Sequence, residues 1–445
     1  MIPATAPAEI LGMSPLWLAT LLMIATYGVI ISERLNRSIV ALLGAMLMIM
    51  LGLLTQEQAV AGIDFNTIGL LVGMMIIVSI TRKCGVFEYL AIWSAKLVRA
   101  SPAGILAMLA VVTAVVSAFL DNVTTVLLVV PVTLIITEAL KVNPYPFLFS
   151  QILASNIGGT ATLIGDPPNI LIGGQVGLSF NDFVYHLTPV IVVVLAVHIV
   201  SMHLIWGRKM LSSAELRARV MAFNERDAIT DARLLKLAGA VLALVIVLFV
   251  LARPLGLDSG TIGMAGAALL MMLDNLGKSA EEQSESVVKV FNEVEWITIF
   301  FFIGLFIVIA GVEHAGLLRL LADQLLAATG GDFATTGFSI LWASAVLSAI
   351  VDNIPFVATM IPLIKSMAPA FGGAEGLLPL WWCLSLGACL GGNGTLIGAS
   401  ANLTVAGIAE RNGIPFRFGT YTRVAFPLML VHVAICHVYL WWRYF

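Results

Sequence analysis

Charge is what this 445-residue chain has least of: Asp, Glu, Lys and Arg make up 11% of it, against 60% hydrophobic residues and a mean hydropathy of +1.02. A soluble domain of this length has no way to hide so much apolar surface, so the bilayer is its expected solvent. Cysteine is scarce too. Cys84, Cys383, Cys389 and Cys436 show no CxxC or Cys/His spacing, which leaves no metal site to propose. Cys383 and Cys389 lie six residues apart on different helix faces, so a three-thiolate site for a soft metalloid is poorly served. All four are read as small hydrophobes. No GxxxxGK[ST] loop occurs, because Gly277-Lys278-Ser279 lacks the upstream glycine. ATP hydrolysis and cofactor chemistry are therefore not expected of this chain. Net charge is −3 and no long Lys/Arg run is present, so nucleic acid is not an expected partner. No basic residue precedes the first apolar run, Pro15–Ile31, which is read as a mature span rather than a cleaved signal.

Windows of about 20 apolar residues place full spans near 15–31, 38–54, 65–81, 189–206, 234–252, 260–274, 296–312 and 422–442. Two further apolar stretches, 103–178 and 336–409, are interrupted by Gly, Pro, Asn and Asp. If 103–120 enters the membrane, 121–140 returns to the same side and 145–178 crosses with a break near 156–169, every loop acquires a side. Arg253, Arg319, Lys365 and Arg443 then share the side of the N-terminus, and the other 19 of the 23 Lys/Arg face the opposite one. By the positive-inside rule both termini are expected outside. The expected organisation is a first repeat with its N-terminal span over 1–206, a cytoplasmic linker with an amphipathic interfacial segment over 207–233, and a second repeat over 234–445. The polar patch 275–295 reads as a solvated loop.

The repeat is visible in the letters. Thr67, Gly73 and Gly85 fall on Thr298, Gly304 and Gly316 at an offset of 231, and SAFLDNVTTVLLVVP (117–131) falls on SAIVDNIPFVATMIP (348–362) at the same offset. GGTATLIGDPPN (158–169) meets GGNGTLIGASAN (391–402) at an offset of 233. With the loop sides above, the first hairpin opens to the cytoplasm and the second to the outside. The fold class expected is an all-α polytopic membrane protein with two inverted-topology repeats, each holding a re-entrant helical hairpin and a discontinuous transmembrane helix.

Unwound chain at membrane depth survives only inside protein or facing a polar cavity. Ser155, Asn156, Gly158, Gly159, Thr160, Thr162 and Asn169 in the first break, with Gly392, Asn393, Thr395 and Asn402 in the second, are the candidate solute-binding residues. They offer carbonyls, hydroxyls and amides, which suit a hard cation or a small hydroxylated solute. Neither break contains Lys or Arg, so a strongly anionic solute would depend on helix N-termini alone. Ionisable residues inside spans are by default functional. Asp121 and Asp352, with Asn122 and Asn353 beside them, sit at the hairpin tips and are candidates for coupling as well as for helix capping. Asp166 is the leading coupling candidate, because its partner position is Ala399 and only one of the two related sites offers a carboxylate. His198, His203, His432 and His437, in the last span of each half, read as structural or lipid-interface residues.

SAFLDNVTTVLLVVP, SNIGGTATLIGDPPNI and their second-half echoes resemble the ArsB/NhaD branch of the ion transporter superfamily, over essentially the whole chain from the span at 38–54 onward. The resemblance implies a scaffold plus a transport domain in each half, with hairpins at 121–140 and 353–370 and broken helices at 145–178 and 379–409. It further implies a secondary transporter of the bacterial inner membrane, exchanging protons for As(III) or Sb(III) hydroxide by alternating access. Na⁺/H⁺ antiporters, anion channels and carboxylate carriers are the alternatives. Its partners would be the small inorganic solute, protons and the lipid bilayer, and any ATPase subunit would be a separate cytoplasmic chain. The DN tips and the GDPPN break depart from the enterobacterial arsenite pumps and look closer to a wider subgroup that includes mammalian pigmentation-type proteins.

Overall fold

A computed structural model describes residues 10, 12–32 and 34–445. Apart from one β-bridge between Ile10 and Met13, the described residues form helices and their connections. The first half runs through α1 (Pro15–Ile31), α2 (Arg37–Met50), α3 (Gln56–Ala61), α4 (Phe65–Arg82), α5 (Val86–Leu97), α6 (Pro102–Ser117), α7 (Asn122–Ala139), α8 (Tyr145–Thr160), α9 (Pro167–Val176), α10 (Phe180–His186) and α11 (Thr188–Ile205). Between the halves lies α12 (Ala214–Met221). The second half holds α13 (Ala232–Val250), α14 (Ala252–Leu255), α15 (Ser259–Asn275), α16 (Ala280–Asn292), α17 (Trp296–His314), α18 (Leu317–Ala328), α19 (Phe333–Ser348), α20 (Asn353–Ser366), α21 (Leu378–Gly391), α22 (Ser400–Arg411) and α23 (Phe418–Tyr444). Among the described residues, six helices are long and apolar enough to cross a membrane by length and composition.

Local chemistry sets many of the boundaries. Proline occupies the first turn of α1, α6, α8, α9, α11 and α21, where its missing N–H is not needed. Asp64, Asp121, Asp231, Asp332 and Asp352 cap α4, α7, α13, α19 and α20 through backbone N–H groups. Gly85 precedes α5 at φ 76° and approaches Ala228 so closely that a Cβ would lie 1.8 Å from its carbonyl oxygen, so no other residue fits. Its repeat partner Gly316 precedes α18 at φ 88°.

The two halves exchange packing partners. In the scaffold α4 lies against α15 and α17 against α2, so each repeat's central helix is clasped by the other repeat. Small residues permit both crossings. A Cβ on Gly73 would sit 2.4 Å from the Gly263 carbonyl carbon, and one on Gly304 would sit 2.5 Å from that of Ala41. Gly73 and Gly304 are repeat partners, so the duplication is carried into the packing.

Two expectations need correction. The patch 275–295 is not a loop: Ser279 and Glu282 form a capping box that starts α16, which lies against α4, and Ser79 donates to Glu293 at 2.9 Å. Its charged residues gave no apolar run, and the spacing of Val287, Val290 and Phe291 was the overlooked helical signal. The hairpins are larger than 121–140 and 353–370, since each is a helix pair, α6–α7 and α19–α20, in which those segments supply the returning arm. Of the histidines expected to be structural or at the lipid interface, His198 and His432 are fully buried with ring centroids 5.9 Å apart, which is the structural alternative.

Gly73→Leu or Gly304→Leu is expected to destabilise the protein by about 1–3 kcal/mol or more through overpacking. Gly239→Ala, with nothing within 4 Å of its added Cβ, should leave stability unchanged or slightly raised. Thermal unfolding of the purified protein in detergent checks both.

Candidate functional site

Each broken helix is held by its own hairpin tip through the same contacts. Ser117 Oγ donates to the Ser155 carbonyl and Ser348 Oγ to the Ala388 carbonyl, both at 2.7 Å. Thr162 and Thr395 hydroxyls donate to the carbonyls of Ala118 and Ala349, the residues that follow those serines. Gly158 packs on Ala114 and Gly391 on Ala345 with room for no side chain. Asn169 Nδ2 spans the first gap to the carbonyls of Thr160 and Thr162 at 3.1 and 2.8 Å, and Asn402 Nδ2 spans the second to Gly392 and Thr395, both at 2.8 Å. The carbonyls freed by unwinding are thus answered by side chains, as membrane depth requires.

The breaks are shorter than the sequence implied. α8 stays helical through Thr160, so Ser155, Asn156, Gly158, Gly159 and Thr160 lie on a regular helix and only 161–166 is unwound. The two glycines are tolerated because they replace side chains at close contacts, Gly158 with Ala114 and Gly159 with Gly165. In the second half Gly392 and Asn393 belong to a 3₁₀ turn, and 395–399 is unwound. Ser155 and Thr160 hydroxyls bond back to the Ile152 and Asn156 carbonyls within α8.

An asparagine network joins the two repeats at the centre. Asn122 Nδ2 donates to Asn156 Oδ1 at 2.8 Å, and Asn156 Nδ2 donates to Asn393 Oδ1 at 2.9 Å and Asn402 Oδ1 at 3.0 Å. Ser385 Oγ completes Asn169 by donating to its Oδ1 at 2.5 Å. Asn122 also reaches Asp166 Oδ1 at 3.3 Å, whereas Asp166 Oδ2 is buried without a hydrogen-bond partner. That is the one carboxylate of the network, and half of its acceptor capacity is open.

The network borders a cavity of ≈ 30 Å³ where the tips, the breaks and the scaffold meet. Its walls include Asp121, Asn122, Asn353, Asp166, Ser400, Thr298, Glu295 and Arg37. Asp121 caps α7 through the Thr124 N–H at 2.9 Å and also accepts from its hydroxyl. Asp352 caps α20 through the Ile354 N–H at 3.1 Å and pairs with Arg37 Nη1 at 2.9 Å.

Arg37, Glu295, Thr298 and Ser400 were not singled out in the sequence. Arg37 corrects the expectation that an anion would find no basic group: α2, remote in sequence, brings a guanidinium to the second hairpin tip. It donates to Ser400 Oγ at 2.8 Å and Thr298 Oγ1 at 3.3 Å and lies over the Phe301 ring at 5.1 Å. Its position at the first residue of an apolar helix was counted only toward loop charge. Glu295 was legible in principle, because it is the repeat partner of the capping Asp64 at offset 231 and, like it, bonds the threonine three residues on.

Residues 27–387 match the family model described as citrate transporter. The chain belongs to that citrate transporter family. It is 44% identical over 431 residues to an uncharacterized transporter of Mycobacterium tuberculosis, covering 96% of this chain and 98% of that one. To the P protein of Homo sapiens it is 31% identical over 514 residues, 96% of this chain and 60% of that one. Its backbone is similar to that of the YdaH transporter of Alcanivorax borkumensis, whose crystal structure is described as revealing an unusual topology, with a TM-score of 0.59 at 15% identity over 96% and 97% of the two chains. This citrate transporter family member is a multi-pass secondary transporter, not an enzyme.

Asn156→Ala is expected to leave Asn122 Nδ2, Asn393 Oδ1 and Asn402 Oδ1 short of a partner, at about 1–3 kcal/mol for each group that finds no water. Thermal stability should fall and transport with it, whereas Thr404→Ala, on the partly buried face of α22, should leave both nearly intact. Paired melting curves and vesicle assays check the contrast.

Proposed function

We propose that this member of the citrate transporter family is a proton-coupled antiporter that exports As(III) and Sb(III) as uncharged trihydroxides across the bacterial inner membrane by alternating access. One observation carries the reading: Asp166 is a buried carboxylate with an unpartnered oxygen, set among amides and hydroxyls beside a cavity of ≈ 30 Å³. Such a carboxylate is suited to taking up a proton on one side and releasing it on the other. An uncharged trihydroxide asks for hydrogen-bond partners and no counter-ion, which the asparagine, serine and threonine groups supply. The charge asymmetry of the loops supports periplasmic termini and a cytoplasmic 207–233 linker. An ATPase subunit, if one took part, would dock on that linker.

Na⁺/H⁺ antiport is the second reading, supported by the same oxygen ligands. A carboxylate carrier or anion channel is supported less well. The cavity has a single basic wall residue, Arg37, already paired with Asp352, and the carboxylates of Asp121, Asp166 and Glu295 line it too. A channel, moreover, would tolerate loss of Asp166.

Expression in a host stripped of its own efflux systems, scored separately for arsenite, antimonite and Na⁺ tolerance, decides between solutes. Tolerance to Na⁺ with none to arsenite or antimonite would move the assignment to the second reading. In everted vesicles Asp166→Asn should reduce pH-gradient-driven transport to background, and full activity in that variant would remove Asp166 from the coupling role.

A further inference from the structure

We propose that Arg37 is a positioning residue, a latch from the scaffold onto the second hairpin tip that must be released before the transport body moves. The proposal rests on the proton-driven reading above, though not on which solute is carried.

The geometry is that of a clasp across a seam. Arg37 and Thr298 belong to α2 and α17, which pack on each other in the scaffold, whereas Asp352 and Ser400 begin α20 and α22 of the hairpin and broken helix. The guanidinium bonds Thr298 on its own side and Asp352 and Ser400 on the other, and Ser400 Oγ is 3.4 Å from the same Asp352 oxygen. Both side chains of the ion pair keep partial exposure, 27% for Arg37 and 20% for Asp352. The pair also borders a pocket of ≈ 320 Å³ walled by Ile30, Leu35, Ile350 and Leu403. The pair therefore stands between that pocket and the inner cavity, and Arg37 and Ser400 are walls of both.

Among the described residues the other seam has no such clasp. Gly304 packs on Ala41 as Gly73 packs on Gly263, so the clasping helices α2 and α15 correspond at an offset of 263 − 41 = 222. Arg37 then corresponds to Ser259, whose hydroxyl lies 3.5 Å from Asn66 Oδ1. Asp121, the partner position of Asp352, is satisfied within its own helix by Thr124. A purely structural pair would be expected on both seams of a duplicated protein. A latch that makes movement conditional is needed only once.

The condition is the Arg37–Asp352 contact. While it holds, the seam stays closed. Loading of the cavity that displaces Arg37 from Asp352 leaves the guanidinium with neutral partners only, and the transport body is freed. The other ionisable groups that face this corner are Glu295 at the start of α17, Asp121 at the first tip and Asp166 in the first break, which with Asp352 at the cavity's edge set four carboxylates around one arginine. An exchanger whose body moved with the cavity empty would dissipate the proton gradient.

The test compares, in proteoliposomes, accumulation driven by a pH gradient with downhill flux of the same solute, for wild type, Arg37→Gln and Arg37→Lys. The latch requires the ratio of driven to downhill transport to fall about tenfold in Arg37→Gln, inside the 5–150-fold range of usual coupling energies. It also requires protons to leak without solute in Arg37→Gln, and Arg37→Lys, which keeps the charge, to restore most of the ratio. An unchanged ratio, or a parallel loss of both fluxes in Arg37→Gln with none regained in Arg37→Lys, overturns it. Wild type that shows downhill flux but no pH-driven accumulation of any solute overturns the proton-driven reading instead. The latch is then judged by downhill flux alone, which must rise in Arg37→Gln and would fall if the pair were structural.

Discussion

A backbone carbonyl or N–H left unpaired in hydrocarbon costs several kcal/mol, and this protein interrupts two helices in the middle of its membrane region. Everything near the centre follows from how that demand is met. The unwound carbonyls are not left to water: Asn169 and Asn402 bridge the gaps, and the hairpin-tip backbone takes the hydroxyls of Thr162 and Thr395. Because each break is stitched to its own hairpin tip, tip and break cannot slide past each other without breaking several bonds at once. They pack as one unit against the helices α4 and α17.

Duplication supplies the mechanics and its defects supply the chemistry. The stitching bonds recur at offsets of 231 and 233, and so do the glycine contacts, so the two halves have equivalent ways to pack. Alternating access in an inverted repeat needs that equivalence, since each half adopts in one state what the other adopts in the next. The two halves do not, however, offer the same groups to the centre. The departures lie together: Asp166 against Ala399, Asn156 against Cys389, Arg37 against Ser259. Each removes from one half a polar or charged group that the other half keeps.

The pattern of letters carried the large features and missed those that depend on distance in space. The repeat, both hairpin tips and both breaks were readable because Asp-Asn and Gly-Gly are strong local signals that recur at a fixed spacing, with Pro-Pro marking the first break. The continuation of α8 through Thr160 was not, because a Gly-Gly pair reads as a breaker until Ala114 and Gly165 are seen to fill the space beside it. α16 was missed because its capping box and sparse apolar positions are weak beside its strongly apolar neighbours. Arg37 was missed for a different reason. Nothing within twenty residues of it hints at Asp352, 315 positions away, and only the cross-packing of α2 on α17 brings them together.

That remote contact also changes how the central cavity should be regarded. Three carboxylates line it and a fourth, Asp352, stands at its edge, against one guanidinium. Four charges of one sign in so small a volume repel one another by amounts that a medium of low dielectric does little to screen. The cavity is therefore better suited to protons, cations or neutral hydroxyls than to anions, whichever solute it carries. Arg37 then does not serve to draw an anion in. Its charge is spent on Asp352, the carboxylate across the seam, so that parting the pair changes the contact between the scaffold helices and the second hairpin tip. Asp166, with its open oxygen, and the Arg37–Asp352 pair, with its place on the seam, divide the work between them: one faces the cavity, the other ties its edge to the scaffold.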